Sequence, residues 1–303
     1  MPLNIHTPLL ESLALSELND TSVLMKMEAL QPPGSFKIRG VGHACEQHAE
    51  KGARRFISSS GGNAGLAVAY AGRKLGIPVM VFVPETTTER AKDLLRLEGA
   101  EVIVHGKSWI DANNLAVSKL TPQDAFLHPF DDPLLWEGHA SMIDEVVAEG
   151  IRPGAVVLSV GGGGLMSGVH EGLRRNGLDD VPIYAAETQG MASFNAAQKA
   201  GKPVELSAVT GVATSLGARQ VCQRAFEVSE ERTIKSVVVT DQEAVDACLA
   251  FLDDHRMLVE PACGAALALL YGKKFDASKY DNVLAIICGG STATASSLHN
   301  FGK

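Results

Sequence analysis

Short apolar, β-branched runs alternate with longer helical patterns through most of this chain, and three of the runs end in glycine. The runs Arg55–Ser58, Val79–Val83, Glu101–Val104, Ala155–Val160, Ile183–Ala186, Ser236–Val239 and Val283–Ile287 read as strands buried in a sheet. Between them, Ala64–Leu75, Thr88–Glu98, Ser108–Leu120, Glu137–Ala148, Leu165–Arg175, Asp241–Asp254 and Gly264–Gly272 read as helices. Thr240-Asp241, with Glu243 in the first turn, supplies an N-terminal cap for one of them. This alternation predicts an α/β protein with mostly parallel sheets. Ligands of such sheets sit beyond the carboxyl ends of the strands. Those ends here run into Ser58-Ser59-Ser60-Gly61-Gly62-Asn63-Ala64-Gly65, Val160-Gly161-Gly162-Gly163-Gly164 and Cys288-Gly289-Gly290-Ser291. Three glycine turns so far apart in sequence predict one shared cavity.

The 303 residues suffice for one large domain or two modest ones. A net charge of -8 without any basic run argues against nucleic acid or an anionic membrane surface as partner. The longest apolar runs, such as Ile77–Val83 and Ala265–Leu270, are too short to cross a bilayer. Met1 to Leu10 lack the charged-then-apolar order of a secretory leader, so the expected compartment is the cytoplasm. The five cysteines, Cys45, Cys222, Cys248, Cys263 and Cys288, are scattered and form no CxxC pair. Neither a disulfide framework nor a thiolate zinc site is expected.

Four successive glycines lose much backbone entropy on folding and need a local reason. Bare amides leading into a helix near Leu165 can wrap a phosphate and align it with the helix dipole. A flexible turn is the plain alternative. A P-loop is excluded because no Lys-Ser/Thr follows, and a dinucleotide fingerprint fails because Met166 stands where its third glycine belongs. A small phosphate monoester fits better. Lys37 lies in Gly34-Ser35-Phe36-Lys37-Ile38-Arg39-Gly40, beside an aromatic ring and enclosed by glycines. An amine that forms an imine must lose its proton, so it needs desolvation or a nearby cation. The hydroxyls, amide and open backbone of Ser59–Gly65 can cradle a carboxylate, although Ser60 or Asn63 can equally well cap the following helix.

With these pieces in place, the chain resembles the fold-type II pyridoxal-phosphate enzymes (tryptophan synthase β-like), and within them the L-serine dehydratase (serine ammonia-lyase) group of the serine/threonine dehydratase family. The resemblance extends over nearly the whole sequence. It includes Pro129-Phe130-Asp131-Asp132-Pro133, Trp136-Glu137-Gly138-His139-Ala140-Ser141, Ser159 to Leu165, Ser236 to Val245, Val259-Glu260-Pro261-Ala262-Cys263-Gly264-Ala265-Ala266-Leu267 and Cys288 to Ser291. It implies two open, mostly parallel sheet domains with the cofactor in the cleft: residues 1–30 with 136–303 as the large domain, and 31–135 as the small one. It implies that Lys37 binds pyridoxal 5'-phosphate as a Schiff base and later removes the substrate Cα proton. Phe36 and Ser215 are implied on opposite ring faces, Asn63 at the 3'-oxygen, Gly161, Gly162, Gly163 and Gly164 at the phosphate, and Cys288 at the pyridine nitrogen. Ser60, Gly61 and Asn63 match the substrate-carboxylate loop. A monovalent cation, usually K+, is implied at Glu187 and the carbonyls of Gly161, Met191, Leu216 and Ala218. A homodimer is the family expectation.

The implied reaction is β-elimination of L-serine to pyruvate and ammonia, with L-threonine giving 2-oxobutanoate. A carboxylate beside the pyridine nitrogen would keep it protonated and let negative charge linger; a neutral thiol cannot, which favours prompt loss of the β-substituent. The rival enzymes are threonine dehydratase, serine racemase and a β-replacement synthase. Gly61, where some active relatives carry alanine, also leaves open a weakly active binder of the coenzyme or an amino acid.

Overall fold

The computed structural model describes residues 2–301. Its strands are β1 (Leu9–Glu11), β2 (Ser22–Lys26), β3 (Arg55–Ser58), β4 (Val79–Val83), β5 (Glu101–Val104), β6 (Asp124–Leu127), β7 (Ala155–Ser159), β8 (Ile183–Thr188), β9 (Ile234–Val239) and β10 (Asn282–Ile286). Six of them form a sheet in the order β1-β2-β10-β7-β8-β9, and four form a second in the order β5-β4-β3-β6. Every neighbouring pair is parallel except β1 with β2. The helices are α1 (Leu13–Asn19), α2 (Lys37–Glu50), α3 (Asn63–Leu75), α4 (Glu89–Leu97), α5 (Trp109–Ser118), α6 (Pro133–Ala148), α7 (Gly164–Arg175), α8 (Ser193–Ala200), α9 (Gln223–Glu231), α10 (Asp241–His255), α11 (Pro261–Tyr271) and α12 (Ala295–His299).

The expected α/β class with mostly parallel sheets is what forms. All five residues of β7 are buried, which is why its sequence is a continuous apolar run and not an alternating one. Thr240 caps α10 in a reciprocal box with Glu243, as expected. Two helices begin earlier than expected. α6 starts at Pro133 behind Asp132, whose side chain accepts the Leu134 amide, and α11 starts at Pro261. Proline reads as a breaker, but at the first helical position its missing N–H is not needed.

The most consequential unforeseen element is α2, which begins at Lys37. Its interior glycine has a steric cause. A Cβ on Gly40 would fall 2.4 Å from the Leu135 carbonyl, and one on Gly138 would fall 2.4 Å from the Arg39 carbonyl, so α2 and α6 approach backbone to backbone. A buried charge cluster then fixes α2 to the six-stranded sheet. Arg39 donates to both oxygens of Glu28 at 2.7 and 2.8 Å and to both of Glu145 at 2.7 Å. Lys26, from β2, lies 2.6 Å from Glu145. Lys37, two residues before Arg39, is therefore held by the large sheet, while the chain after α2 goes on to build the four-stranded one.

Candidate active site

Lys37 Nζ donates to the Pro129 carbonyl at 2.6 Å and lies 5.2 Å from the centre of the Phe36 ring. Burial lowers the amine's pKa from 10.5 to about 8, while nearby Cys288, Glu260 and Cys222 pull the other way. Phe36 in turn rests on His139, with ring centres 4.9 Å apart at a 56° tilt. The His139 Nδ1 accepts the Gly40 amide at 3.1 Å, so the ring supplies the cap that α2 lacks from Phe36, its own N-cap residue. Burial, then the charges of Lys37 and Arg39, hold His139 well below its usual pKa, so it is neutral. The proton accordingly sits on Nε2, which has no protein partner.

The glycine loop runs from β7 into α7 and is walled by its neighbours. A Cβ on Gly162 would strike the Phe130 ring at 2.3 Å, and one on Gly163 would meet the Ala225 side chain at 2.3 Å. Gly163 also has φ +97, a conformation that L side chains rarely adopt. Among the described residues, the N–H groups of Gly162, Gly163, Gly164 and Leu165 find no backbone or side-chain acceptor outside the helix. They form a cradle of free donors at a helix N-terminus, as a phosphate requires. Cys222, the N-cap residue of α9, donates its amide to the Gly162 carbonyl at 3.0 Å.

The serine-glycine loop joins β3 to α3. The helix cap is Gly62, which offers no side chain, so Asn63 is free of that duty. Its Nδ2 donates to Glu260 at 2.7 Å and to the Ser215 hydroxyl at 3.3 Å, and its Oδ1 accepts the Ser291 amide at 3.0 Å. Asn63 thereby ties the small sheet to three segments outside it, at Ser215, Glu260 and Ser291. Ser60 Oγ accepts the Gly62 amide at 3.3 Å and tightens the loop. A Cβ on Gly61 would lie 2.8 Å from the Thr87 methyl, so Thr87 fills the place of the methyl missing there.

Cys288 follows β10 and is 6% exposed. A hydrogen bond shared with Cys263, then burial, pushes its thiol far above the usual range, so it is neutral. Glu187 is fully buried, and its two oxygens accept the Phe194 and Asn195 amides at 2.8 Å each, capping α8. Burial is the main cause that raises its pKa to about 7. Close by in sequence, the buried hydroxyls of Thr188 and Ser193 have no partner. Gly161 and Leu216 are in contact, a Gly161 Cβ lying 2.9 Å from Leu216 Cα, and the Leu216 carbonyl accepts the Ala218 amide at 2.7 Å. Met191 Sδ lies 3.9 Å from a Cβ built on neighbouring Gly217.

Lys37, Phe36, Asn63, Ser215, Cys288 and the three glycine loops are thus linked by one run of contacts: Pro129 and Phe130 join Lys37 to the tetraglycine, and Asn63 joins the serine-glycine loop to Glu260, Ser215 and the turn after Cys288. Glu260, His139, Phe130 and the Pro129 carbonyl belong to it as well, and residue-by-residue reading gave none of them a role. The sequence signals for Glu260 were its place in the Val259–Leu267 motif and its position just before the apolar helix Pro261–Tyr271.

A family model described as "Pyridoxal-phosphate dependent enzyme" matches residues 1–289. A Dictyostelium discoideum protein named L-serine dehydratase is 47% identical, over 96% of this chain and 89% of that protein. A human protein named L-serine dehydratase/L-threonine deaminase is 46% identical, over 98% of this chain and 94% of its own. Among solved structures, a fungal L-serine ammonia-lyase from Rhizomucor miehei matches with a TM-score of 0.94 at 33% identity, covering 99% of this chain and 98% of that one.

Proposed function

Because the chain belongs to the pyridoxal-phosphate dependent enzyme family, we propose that it removes water and then ammonia from L-serine, releasing pyruvate. One observation carries the reading: a buried amine, its pKa lowered to about 8, lies near a neutral thiol and is joined through Pro129 and Phe130 to a cradle of free amides. The residues present fit the coenzyme. The glycine loop has its flanks filled by Phe130 and Ala225, and its donors are left for a phosphate.

When bound, pyridoxal phosphate supplies the aldehyde that joins an amine and a ring that draws electron density from Cα. Lys37 would hold the coenzyme covalently, and its free amine would serve as the base that takes the Cα proton. The Pro129 carbonyl, 2.6 Å from Nζ, is the partner that keeps the freed amine in place. Phe36 and Ser215 would bound the coenzyme on two sides, and Asn63 would offer it an N–H. Ser60, the Gly61 backbone and the start of α3 orient the substrate carboxylate. Cys288 would meet the coenzyme's ring nitrogen as a neutral thiol, without a proton-holding charge, and that would favour elimination. Serine loses one proton and its hydroxyl as water; the released enamine takes up water to give pyruvate and ammonia, so no oxidant enters. L-threonine differs by one methyl, worth about 1–3 kcal/mol of discrimination in an apolar pocket, so it is a second substrate giving 2-oxobutanoate.

Residues 31–135, which contain the whole four-stranded sheet, act as the small domain, and 1–30 with 136–303 as the large one. A K+ ion bound at Glu187 with the carbonyls of Gly161, Met191, Leu216 and Ala218 would relieve a carboxylate otherwise buried without a cation, and the unpartnered Thr188 and Ser193 hydroxyls add oxygen donors nearby. All five cysteines are free thiols, which suits a reducing compartment such as the cytoplasm; the family resemblance supports a homodimer as the proposed working form. No helix among the described residues is long and apolar enough to cross a membrane.

Purified protein loaded with pyridoxal phosphate is expected to release pyruvate and ammonia in equal amounts from L-serine, and Lys37→Ala to abolish both release and visible absorbance. D-serine appearing in place of pyruvate would assign a racemase. Thioether or cysteine formed on adding thiol or sulfide would assign a synthase, and no turnover of a loaded protein would leave a binder.

A further inference from the structure

Glu260 is 5% exposed, and the proposed chemistry does not by itself ask for a carboxylate at this place. Three separate segments supply its partners. Asn63 of α3 donates at 2.7 Å, Thr292 donates at 3.5 Å, and the Ser215 hydroxyl also bonds the carboxylate. The glycine after Gly289 has its cause here as well. A Cβ on Gly290, at φ +136, would lie 2.2 Å from Glu260 Cδ, so the turn after Cys288 is shaped to admit this carboxylate.

An asparagine amide can be turned end for end, and its two ends are chemical opposites. At Asn63 the choice is forced from both sides. The Ser291 N–H can only donate, so it faces Oδ1; an ionised carboxylate can only accept, so it faces Nδ2. Nδ2 carries two hydrogens. One is engaged strongly by Glu260, and the other has only the long 3.3 Å contact with Ser215.

We infer that Glu260 is a positioning residue: by accepting one Asn63 N–H it fixes the amide so that the second N–H is the one offered to the bound coenzyme. The inference rests on the proposed role of Asn63 in holding pyridoxal phosphate. The charge state of Glu260 therefore matters, because a protonated carboxyl is also a donor and leaves the Ser291 N–H as the one group of this pair that still fixes the amide's orientation. Burial is the main cause that raises its pKa to about 7, opposed by the hydrogen bonds from Ser215, Asn63 and Thr292 and by Lys37. The titratable groups facing it are Lys37 of α2, Cys288 after β10, Cys263 of α11 and Cys248 of α10. The grip on the coenzyme then weakens as pH falls through this range.

The test titrates pyridoxal phosphate into cofactor-free protein and reads the dissociation constant from visible absorbance. Glu260→Leu removes the acceptor at similar volume and is expected to weaken binding roughly tenfold or more, the scale of a hydrogen bond to a charged group. Asn63→Ala should weaken it comparably, and Glu260→Leu combined with Asn63→Ala should be no worse than Asn63→Ala alone. Glu260→Gln keeps the shape and one acceptor oxygen. Like the protonated carboxyl it is both donor and acceptor, so at about pH 8 it should bind about as weakly as the parent does toward about pH 6 and change little with pH. Full multiplication of the two effects in the double variant, or parental binding by Glu260→Leu, overturns the inference. If circular dichroism shows Glu260→Leu unfolded, Glu260→Gln decides: an undiminished pH dependence overturns the inference and a flat one supports it. A parent protein that takes up no coenzyme overturns the proposed function itself, and one that binds it while these variants behave as the parent overturns only the role of Glu260.

Discussion

Replacing Arg39 with methionine tests what holds the catalytic lysine in place. The side chain is 1% exposed, and its guanidinium meets two carboxylates, each through both oxygens, plus the Ser141 hydroxyl at 3.0 Å. With Lys26 the cluster carries two positive and two negative groups and is neutral. Arg39→Met leaves Glu28 and Glu145 facing Lys26 alone, with one negative charge buried and unmatched. Removing one partner of a buried pair costs about 3–5 kcal/mol, and that is the expected loss. Adding Glu28→Gln removes one charge of each sign and restores neutrality. The double variant should therefore lose less than the sum of the singles by at least about 1 kcal/mol. Urea unfolding of the cofactor-free protein, with the slope checked for constancy, measures all three.

The same substitution has a catalytic reading. Arg39 is in the first turn of α2, two residues past Lys37, so loosening it lets the amine drift. A misplacement near 1 Å costs on the order of 100-fold in rate. Arg39→Met that unfolds within about 0.5 kcal/mol of the parent, or strictly additive losses, would refute the idea that charge pairing, and not apolar packing, anchors this helix.

Two other outcomes follow from the site. Covalent attachment of the coenzyme needs an unprotonated Lys37, so in cofactor-free protein the attachment rate should climb about tenfold per pH unit and level off above about pH 8; stopped-flow absorbance would show a continued climb beyond about pH 9 if the amine had an ordinary pKa. Gly61→Ala should destabilise by about 1–3 kcal/mol and raise KM for serine, because its methyl meets the Thr87 methyl at 2.8 Å and Val83 at 3.2 Å; a second change, Thr87→Ala, should reverse much of the loss, and thermal unfolding that shows no such rescue would sink this account.

What could be read from sequence was whatever local pattern dictates. β3, β4 and β5 fall where their apolar runs lie, and contacts through Lys37, Asn63 and Glu260 link the three glycine loops. Elements whose sequence is locally ambiguous were not legible. β2 ends in Lys26, a residue that reads as surface and is buried only because Glu145, far along the chain, neutralises it. β6 is four residues long and opens with Asp124, whose carboxylate holds Arg55 of β3 at 2.8 Å. α2 carries Gly40 and Gly42, poor helix formers, and its stability comes from α6 and the charge cluster. The site divides along the same line. Lys37 is weak alone and stands out only beside the tetraglycine, whereas His139 and Glu260 gain their roles from partners about a hundred and two hundred residues away.

Cys288 shows how a neutral group can be enforced by its surroundings. Its neighbours are Cys263, which shares a hydrogen bond with it, and Glu260, whose negative charge opposes a thiolate, and burial adds to both. A thiolate is the reactive form of cysteine, so this thiol should resist alkylation by iodoacetamide near neutral pH even in cofactor-free protein. Cys288→Ser keeps a small neutral donor in the same place. Elimination should therefore persist in Cys288→Ser, with turnover reduced less than about tenfold, because the change asks for no more than a redistributed hydrogen bond of about 0.5–1.5 kcal/mol. Cys288→Asp brings a second carboxylate up to Glu260, and two such groups buried together cannot both ionise. One of them must keep its proton near pH 7, and if that one is Glu260 the Asn63 lock is lost as well. Coenzyme binding by Cys288→Asp should then fall together with pyruvate release. Should Cys288→Ser lose elimination while still holding the coenzyme, the neutral-donor account of this position would be wrong, and the sulfur itself would have to be the participant.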